Sequence, residues 1–272
     1  MKKSLVAFGA VALATAAFAA DGLSSNMVGF DKVATKPNTF IQLAAQFQDV
    51  TTGKLAFEKI FTGLKGVDYD DDNVWLMTAP QVQFFDGSDY NIYYYLNDGF
   101  VVEDRKIVGR KAGWCDVDGI YTDLTATPGQ GFWFKNPSMD AAEICGAGQV
   151  EQATEASVEA PAGIFSILAN IFPMTINLND EKHVMADGIV GVDYDDDNVW
   201  LSTAPQVQFF NGTDYDIYYY LNDGYVVESG KIVGRKAGWC NVDGIYVDVI
   251  IPSQQSFWVK ANTGKFTFAF KR

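Results

Sequence analysis

Residues 66–121 read GVDYDDDNVWLMTAPQVQFFDGSDYNIYYYLNDGFVVEDRKIVGRKAGWCDVDGIY, and residues 191–246 carry almost the same sequence 125 positions later. Only 8 of these 56 positions differ between the two copies. A long segment repeated at a fixed spacing indicates one structural unit used twice. A catalytic or binding residue predicted in one copy must therefore be compared with its counterpart in the other.

The repeated segment has the pattern of short β-strands separated by turns. Residues 81–85 and 90–96 flank Asp86-Gly-Ser-Asp89, which predicts a hairpin with a four-residue loop. Asn97-Asp98-Gly99 is a second turn signal, and residues 100–103 and 106–109 predict another hairpin. Further short strands are predicted for residues 39–47, 73–77, 120–124, 131–135 and 142–145.

One short helix per unit is also predicted. Four apolar residues between positions 54 and 66 recur at the i, i+3, i+4 and i+7 spacing of a helix face; they are Phe57, Ile60, Phe61 and Leu64. Turn signals at intervals of about ten residues are otherwise typical of sandwiches and small barrels. We therefore predict an all-β protein of two tandem β-sandwich or small-barrel domains, at residues 20–147 and 148–272.

The first residues predict export. A basic start (Met1-Lys-Lys3), a short apolar run and the Ala17-Phe-Ala19 cleavage pattern are typical of a secretory signal peptide at residues 1–19. No later stretch approaches the roughly 20 apolar residues of a membrane helix, so no transmembrane segment is predicted. We expect a secreted or cell-surface protein, with retention in the periplasm left open.

The charge of the chain excludes one class of partner. The formal net charge is −14 at pH 7, and so acidic a surface repels phosphate backbones. We expect no nucleic-acid partner.

The acidic segment Val67-Asp-Tyr-Asp-Asp-Asp-Asn73, repeated at residues 192–198, is a candidate metal site. Several carboxylates in a short loop repel one another unless a cation lies among them, and calcium takes six to eight oxygen ligands. The alternative is a solvated acidic turn. The candidate calcium ligands are Asp68, Asp70, Asp72, Asp193, Asp195 and Asp197.

Three cysteines in an exported protein predict a disulfide. Cys115 and Cys240 are repeat equivalents, whereas Cys145 occurs in the first unit only. We predict a Cys115–Cys145 bond within the first unit, with Cys115–Cys240 as the competing pair.

The aromatic hairpin supplies the candidate binding face. Strand alternation predicts one face of core residues and an opposite face that mixes amides with aromatic rings, which suits sugar rings or protein partners. The alternative is that the tyrosines only stabilise the sheet. The predicted binding residues are Gln81, Gln83, Phe85, Tyr93 and Tyr95, with Gln206, Gln208, Phe210, Tyr218 and Tyr220 in the second copy.

Comparison of the two copies leaves little support for a catalytic site. The single histidine, His183, corresponds to Glu58, so the first unit has no histidine for a catalytic triad. Paired carboxylates of a glycosidase remain open, because that chemistry needs only two acids a few ångströms apart. The available pairs are Glu103 with Glu228 and Asp118 with Asp243.

The closing strands of the units carry a resemblance. Pro128-Gly-Gln-Gly-Phe-Trp-Phe-Lys135 and Ser256-Phe-Trp-Val-Lys260, with the aromatic hairpin at residues 90–96, resemble the β-repeats of uncharacterised exported proteins of Gram-negative bacteria. The resemblance implies a β-repeat fold and no particular activity.

These patterns together favour an exported non-catalytic protein. Its expected role is surface structure and adhesion, or the binding of a surface glycan or protein, with self-association also open. The competing hypothesis is a small secreted hydrolase of the glycosidase type that uses paired carboxylates.

Overall fold

A computed structural model describes residues 28–62, 64–138, 143–262 and 264–272. The predicted signal peptide lies outside these residues. Within them, no helix combines the length and the apolar character needed to cross a bilayer.

The first unit is built almost entirely of strands. In order they are β1 (Val28–Ala34), β2 (Phe40–Ala44), β3 (Leu55–Ala56), β4 (Phe61–Thr62), β5 (Gln81–Phe85), β6 (Tyr90–Glu103), β7 (Lys106–Cys115), β8 (Thr125–Ala126), β9 (Gly131–Lys135) and β10 (Glu143–Gln149). A 3-10 turn (Phe57–Lys59) precedes β4, and a single helical turn, α1 (Trp75–Thr78), precedes β5.

The second unit repeats this order. Its strands are β11 (Glu155–Ala160), β12 (Phe165–Ala169), β13 (Ile176–Asn177), β14 (Val184–Asp187), β15 (Gln206–Phe210), β16 (Tyr215–Glu228), β17 (Lys231–Cys240), β18 (Ile250–Ile251), β19 (Ser256–Lys260) and β20 (Phe266–Lys271). The helical turn α2 (Trp200–Thr203) corresponds to α1.

Each unit packs sheets face to face, which confirms the all-β prediction. A five-stranded sheet has the order β2-β9-β5-β6-β7 in the first unit and β12-β19-β15-β16-β17 in the second. The three-stranded sheets are β1-β10-β4 and β11-β20-β14, and two short pairs, β3-β8 and β13-β18, complete the units. The described strand pairs within these sheets are antiparallel.

Each unit encloses its own core. Alternate side chains of β5 and β9, such as Val82 and Phe132, pack with Phe57 and Ile144 from the rest of the first unit. The corresponding cluster of the second unit contains only residues between positions 156 and 270. Burying one such phenylalanine contributes roughly 1.5–3 kcal/mol, so each cluster stabilises its own unit.

The junction between the units lies a few residues beyond the predicted boundary. Gln149 at the end of β10 pairs with Val28, so this strand belongs wholly to the first unit. The next strand starts at Glu155 and pairs with Lys271. The predicted division between residues 147 and 148 therefore falls inside β10.

The predicted helix at residues 54–66 is wrong. In the described part of this segment, a strand, a 3-10 turn and a second strand follow one another, and these strands pair with β8 and β10. Phe57 and Ile60 are buried as the pattern required, but tertiary pairing overrides the helical spacing. The helical turn occurs instead at Trp75–Thr78, where a strand was predicted.

The predicted turn at Asn97-Asp98-Gly99 is a β-bulge. The strand β6 continues through it, and the register with β7 shifts between Leu96 and Gly99. A bulge bends a strand without ending it. The hairpin formed by β6 and β7 is consequently long, and residues 106–112 of β7 are exposed.

Candidate functional site

The acidic loops cap the helical turns. The Asp70 carboxylate accepts hydrogen bonds from the backbone N–H groups of Val74 (2.9 Å) and Trp75 (3.2 Å). Asp195 makes the same bonds at α2, at 3.0 and 3.3 Å. Asp68 accepts a hydrogen bond from the Asn97 amide at 2.9 Å.

The same loops carry the predicted calcium ligands. Across the described residues, no three His, Cys, Asp or Glu side chains form a group able to hold a metal ion. Calcium requires six to eight oxygens around one point. Calcium also takes backbone, amide and water oxygens, so its binding by Asp68, Asp70 and Asp72, and by Asp193, Asp195 and Asp197, stays a prediction.

The predicted disulfide is not formed. Cys115, Cys145 and Cys240 are free thiols. Cys115 ends β7 in a small cluster with Trp75 and Leu96, whereas Cys145 lies on β10 of a different sheet, opposite Lys32. The two thiols belong to separate layers of the unit, which strand order alone did not reveal.

The predicted composition of the hairpin faces also needs correction. Phe85 pairs with Tyr90 across the four-residue loop, so odd-numbered residues of β5 lie opposite even-numbered residues of β6. Tyr93 is opposite Val82 and packs, with Tyr95, against the core of the first unit.

The second copy repeats this arrangement. Tyr218 is opposite Val207 and packs, with Tyr220, against the second core. The four predicted tyrosines therefore lie on the faces opposite the amides, because an even number of loop residues reverses the parity of the pairs. The amide face carries Gln81, Gln83 and Phe85, with Gln206, Gln208 and Phe210 in the second unit.

This amide face lies beside the interface between the two units, which we call the seam. The seam brings β2 and β9 against β12 and β19. The Ala44 N–H donates to the Gln254 carbonyl at 2.8 Å, and the repeat-equivalent Ala169 N–H donates to the Gly129 carbonyl at 2.9 Å. These two bonds are the same contact with the units exchanged, as across an approximate two-fold axis.

Aromatic rings fill the centre of the seam. Phe85 packs edge-on against Trp258 at 5.0 Å between centroids, and Trp133 packs against Phe210 at 5.1 Å. Edge-to-face pairs of this kind contribute about 0.5–1.5 kcal/mol each beyond the area they bury. Phe40, Phe165 and Tyr215 pack against the same cluster.

A cavity of about 240 Å³ opens beside these rings, and both units contribute to it. Its lining consists of Phe40, Gln83, Tyr90, Trp133, Phe210 and Tyr215. Tyr90 is 37% exposed. Burial, with Tyr215 nearby, raises the pKa of Tyr90, although Trp133 opposes the shift, so its hydroxyl stays a neutral donor.

Sequence reasoning found part of this site. Gln83, Phe85 and Phe210 were predicted as binding residues, and the structure brings them to the seam. Phe40, Tyr90, Trp133 and Tyr215 were missed; the usable signal was that each has an aromatic counterpart 125 positions away.

The candidate catalytic acids lie elsewhere. Glu103 ends β6 at the tip of the long hairpin, and Asp118 is exposed in the turn after β7. Within the described residues, no carboxylate lines the aromatic cavity. The site can therefore hold a ligand through ring faces and an amide, but it offers no acid–base pair.

Comparisons with known proteins add no relative. No family model, curated protein or solved structure matches this chain. The resemblance to exported β-repeat proteins stays a prediction.

Proposed function

We propose that this protein is an exported, non-catalytic protein that binds a surface glycan at the aromatic cavity between its two units. The observation that carries the proposal is the set of aromatic rings around that cavity, all partly exposed except the buried Trp133, with the Gln83 amide among them. Ring faces pack on the apolar face of a sugar, and an amide can both donate to and accept from its hydroxyls.

The duplication suits this role. Tyr90 and Tyr215 are repeat equivalents, and both line the one cavity. A glycan chain with repeating residues presents similar faces to the two rings. The absence of carboxylates from the described lining makes binding a better account than hydrolysis, which needs a pair of acids.

Substitution of the two tyrosines tests the proposal. We expect Tyr90→Ala and Tyr215→Ala each to weaken binding about tenfold, which corresponds to about 1.4 kcal/mol, and the double variant to lose it. The measurement is calorimetric titration of the full-length mature protein with neutral β-linked tetrasaccharides, together with a thermal melt of each variant.

Tyr93→Phe and Tyr218→Phe are the matched controls. These tyrosines lie on the opposite faces of their sheets, against the cores. They should retain wild-type affinity. Loss of binding in these controls, with none in the Tyr90 and Tyr215 variants, would return the site to the face predicted from the sequence.

A further inference from the structure

The two halves of the seam have diverged although the fold repeats. In one half, three isoleucines of the second unit meet glycines of the first. A Cβ on Gly129 would lie 3.0 Å from the Ile171 Cγ1 atom, and a Cβ on Gly131 would lie 2.3 Å from Ile167. This half is apolar and closely packed, and no side chain larger than glycine fits at those two positions.

The other half carries polar residues at the equivalent positions. Thr39, Gln42 and Gln46 replace Ile164, Ile167 and Ile171, and Gln254 and Ser256 replace Gly129 and Gly131. Near Gly212 the packing is open, since a Cβ there would meet no atom within 4 Å. At its counterpart, Gly87, the Ile164 side chain approaches to 3.0 Å.

A cavity of about 300 Å³ occupies this polar half. Gln42 and Gln254 both line it, and each is only 6% exposed. Within the described protein, neither the oxygen nor the nitrogen of the Gln42 amide has a hydrogen-bond partner, and the Gln254 amide nitrogen also lacks one. Buried amides without partners are rare, and each requires a reason.

Gln46 shows what a structural amide in this seam does. Its nitrogen donates to the carbonyls of Asn170 (3.0 Å) and Phe172 (2.9 Å), and its oxygen accepts from the Gln254 N–H at 2.9 Å. Gln46 thus joins the units with its bonding capacity used. Gln42 lies four residues earlier in the chain, and its side-chain amide makes no hydrogen bond within the described protein.

The backbone at Gln254 is a second sign of specialisation. Its φ is +64°, in the left-handed region that favours glycine, and its counterpart Gly129 has φ +87°. The second unit therefore has a glutamine at a position where glycine would adopt this backbone conformation without strain. Backbone strain of this kind is found at binding sites, where the side chain has a use that outweighs it.

We infer that the polar half of the seam is a subsite for an uncharged, polyhydroxylated ring, such as one residue of a neutral glycan, held by the amides of Gln42 and Gln254. The subsite deepens the glycan-binding function proposed above and rests on it. Phe40 and Phe210 line both this cavity and the aromatic one, so a single chain can occupy the two.

The lining explains the class of ligand. Free donors and acceptors on one carboxamide match neighbouring hydroxyl groups, which also donate and accept. Among the described lining residues, Lys36 is the only charged one. Asn211 in the lining replaces the Asp86 of the other copy, so a carboxylate has given way to an amide.

The test replaces residues of the polar half by the residues found at the equivalent positions of the apolar half. Two variants are made in the full-length mature protein: Gln42→Ile together with Ser256→Gly, which gives the isoleucine the room that Gly131 gives Ile167, and Gln254→Gly. Both are titrated with neutral tetrasaccharides of β-linked glucose, xylose, mannose and N-acetylglucosamine. We expect each variant to lose affinity about tenfold or more for the sugar that binds wild type. The melting temperature should stay the same or rise, because an unpaired buried amide or a strained backbone is removed.

A purely structural role predicts a different result. The control Gln46→Ile breaks bonds that the protein makes internally and should lower the melting temperature. If the two test variants also melt lower and bind sugar as wild type does, the subsite is overturned and the amides are structural. If they keep both affinity and melting temperature, the cavity holds water only and the subsite is likewise overturned.

The two proposals fail in distinguishable ways. Retained affinity in the amide variants, with loss in Tyr90→Ala, removes the subsite and leaves the glycan-binding function standing. If wild type binds none of the four sugars, the proposed function is overturned, and the subsite with it.

Discussion

At the scale of single residues, the copies differ in the two-residue turn that closes the long hairpin. Asp104 and Arg105 have φ values of +49° and +65°, and their counterparts Ser229 and Gly230 have +50° and +75°. Positive φ at both central positions defines a type I′ turn, which favours glycine at the second. Arginine in this region costs about 1 kcal/mol or more.

We therefore expect Arg105→Gly to raise the free energy of unfolding by about 1 kcal/mol. The reciprocal change Gly230→Arg should lower it by a similar amount. Urea denaturation followed by fluorescence measures both. If neither substitution alters the midpoint, the turn does not hold these dihedral angles in solution.

At the scale of elements, β7 and β17 each end on a buried cysteine, Cys115 and Cys240. A Cβ added to Gly99 would lie 2.1 Å from the Cys115 sulfur, and Gly224 faces Cys240 in the same way. Only glycine leaves room for the sulfur, so the bulge and the buried cysteine depend on each other. Burial raises the pKa of Cys115 and of Cys240 to about 12.

This burial predicts the reactivity of the thiols. At pH 8 very little thiolate forms at a pKa near 12, so we expect iodoacetamide to modify only the half-exposed Cys145 in the native protein. Denaturation should release all three. Peptide mapping after timed alkylation distinguishes the sites, and a denatured protein with a single reactive thiol would restore the predicted disulfide.

At the scale of the whole molecule, each unit has its own core but shares the aromatic seam with its partner. We expect residues 150–272 alone to fold cooperatively, because their core needs no residue of the first unit. Their melting temperature should be lower than that of the full chain, since Trp258 and Ile167 lose their cover. Circular dichroism of the fragment checks both expectations.

The asymmetry of the seam adds an expectation about assembly. In a pair of second units, Ile167 would face Ser256 instead of Gly131. Serine has a Cβ, and a Cβ at the position of Gly131 would lie only 2.3 Å from Ile167. The fragment should therefore stay monomeric, and residues 20–151, which include Val150 of the first core, should associate with it when the two are mixed. Sedimentation velocity decides, and a stable dimer of the second fragment alone would contradict this account.

Local patterns in the sequence predicted most of the strands. β5 and β9 begin and end at the predicted residues, since both are short apolar runs between clear turn signals. The segment around Phe57 misled because its spacing suits a helix, while its strand partners lie far away in the chain. The hairpin faces were assigned wrongly because the parity of the pairs depends on the loop, which alternation within one strand does not reveal.

The sequence by itself determined the duplication, the all-β class and the residue types available to a site. Only the tertiary structure decided which copies of those residues meet. Gln42 and Gln254 are 212 positions apart and look unremarkable in their strands. They share a cavity because an approximate two-fold axis places β2 of the first unit against the turn before β19 of the second. Such contacts between distant segments leave no local pattern in the sequence.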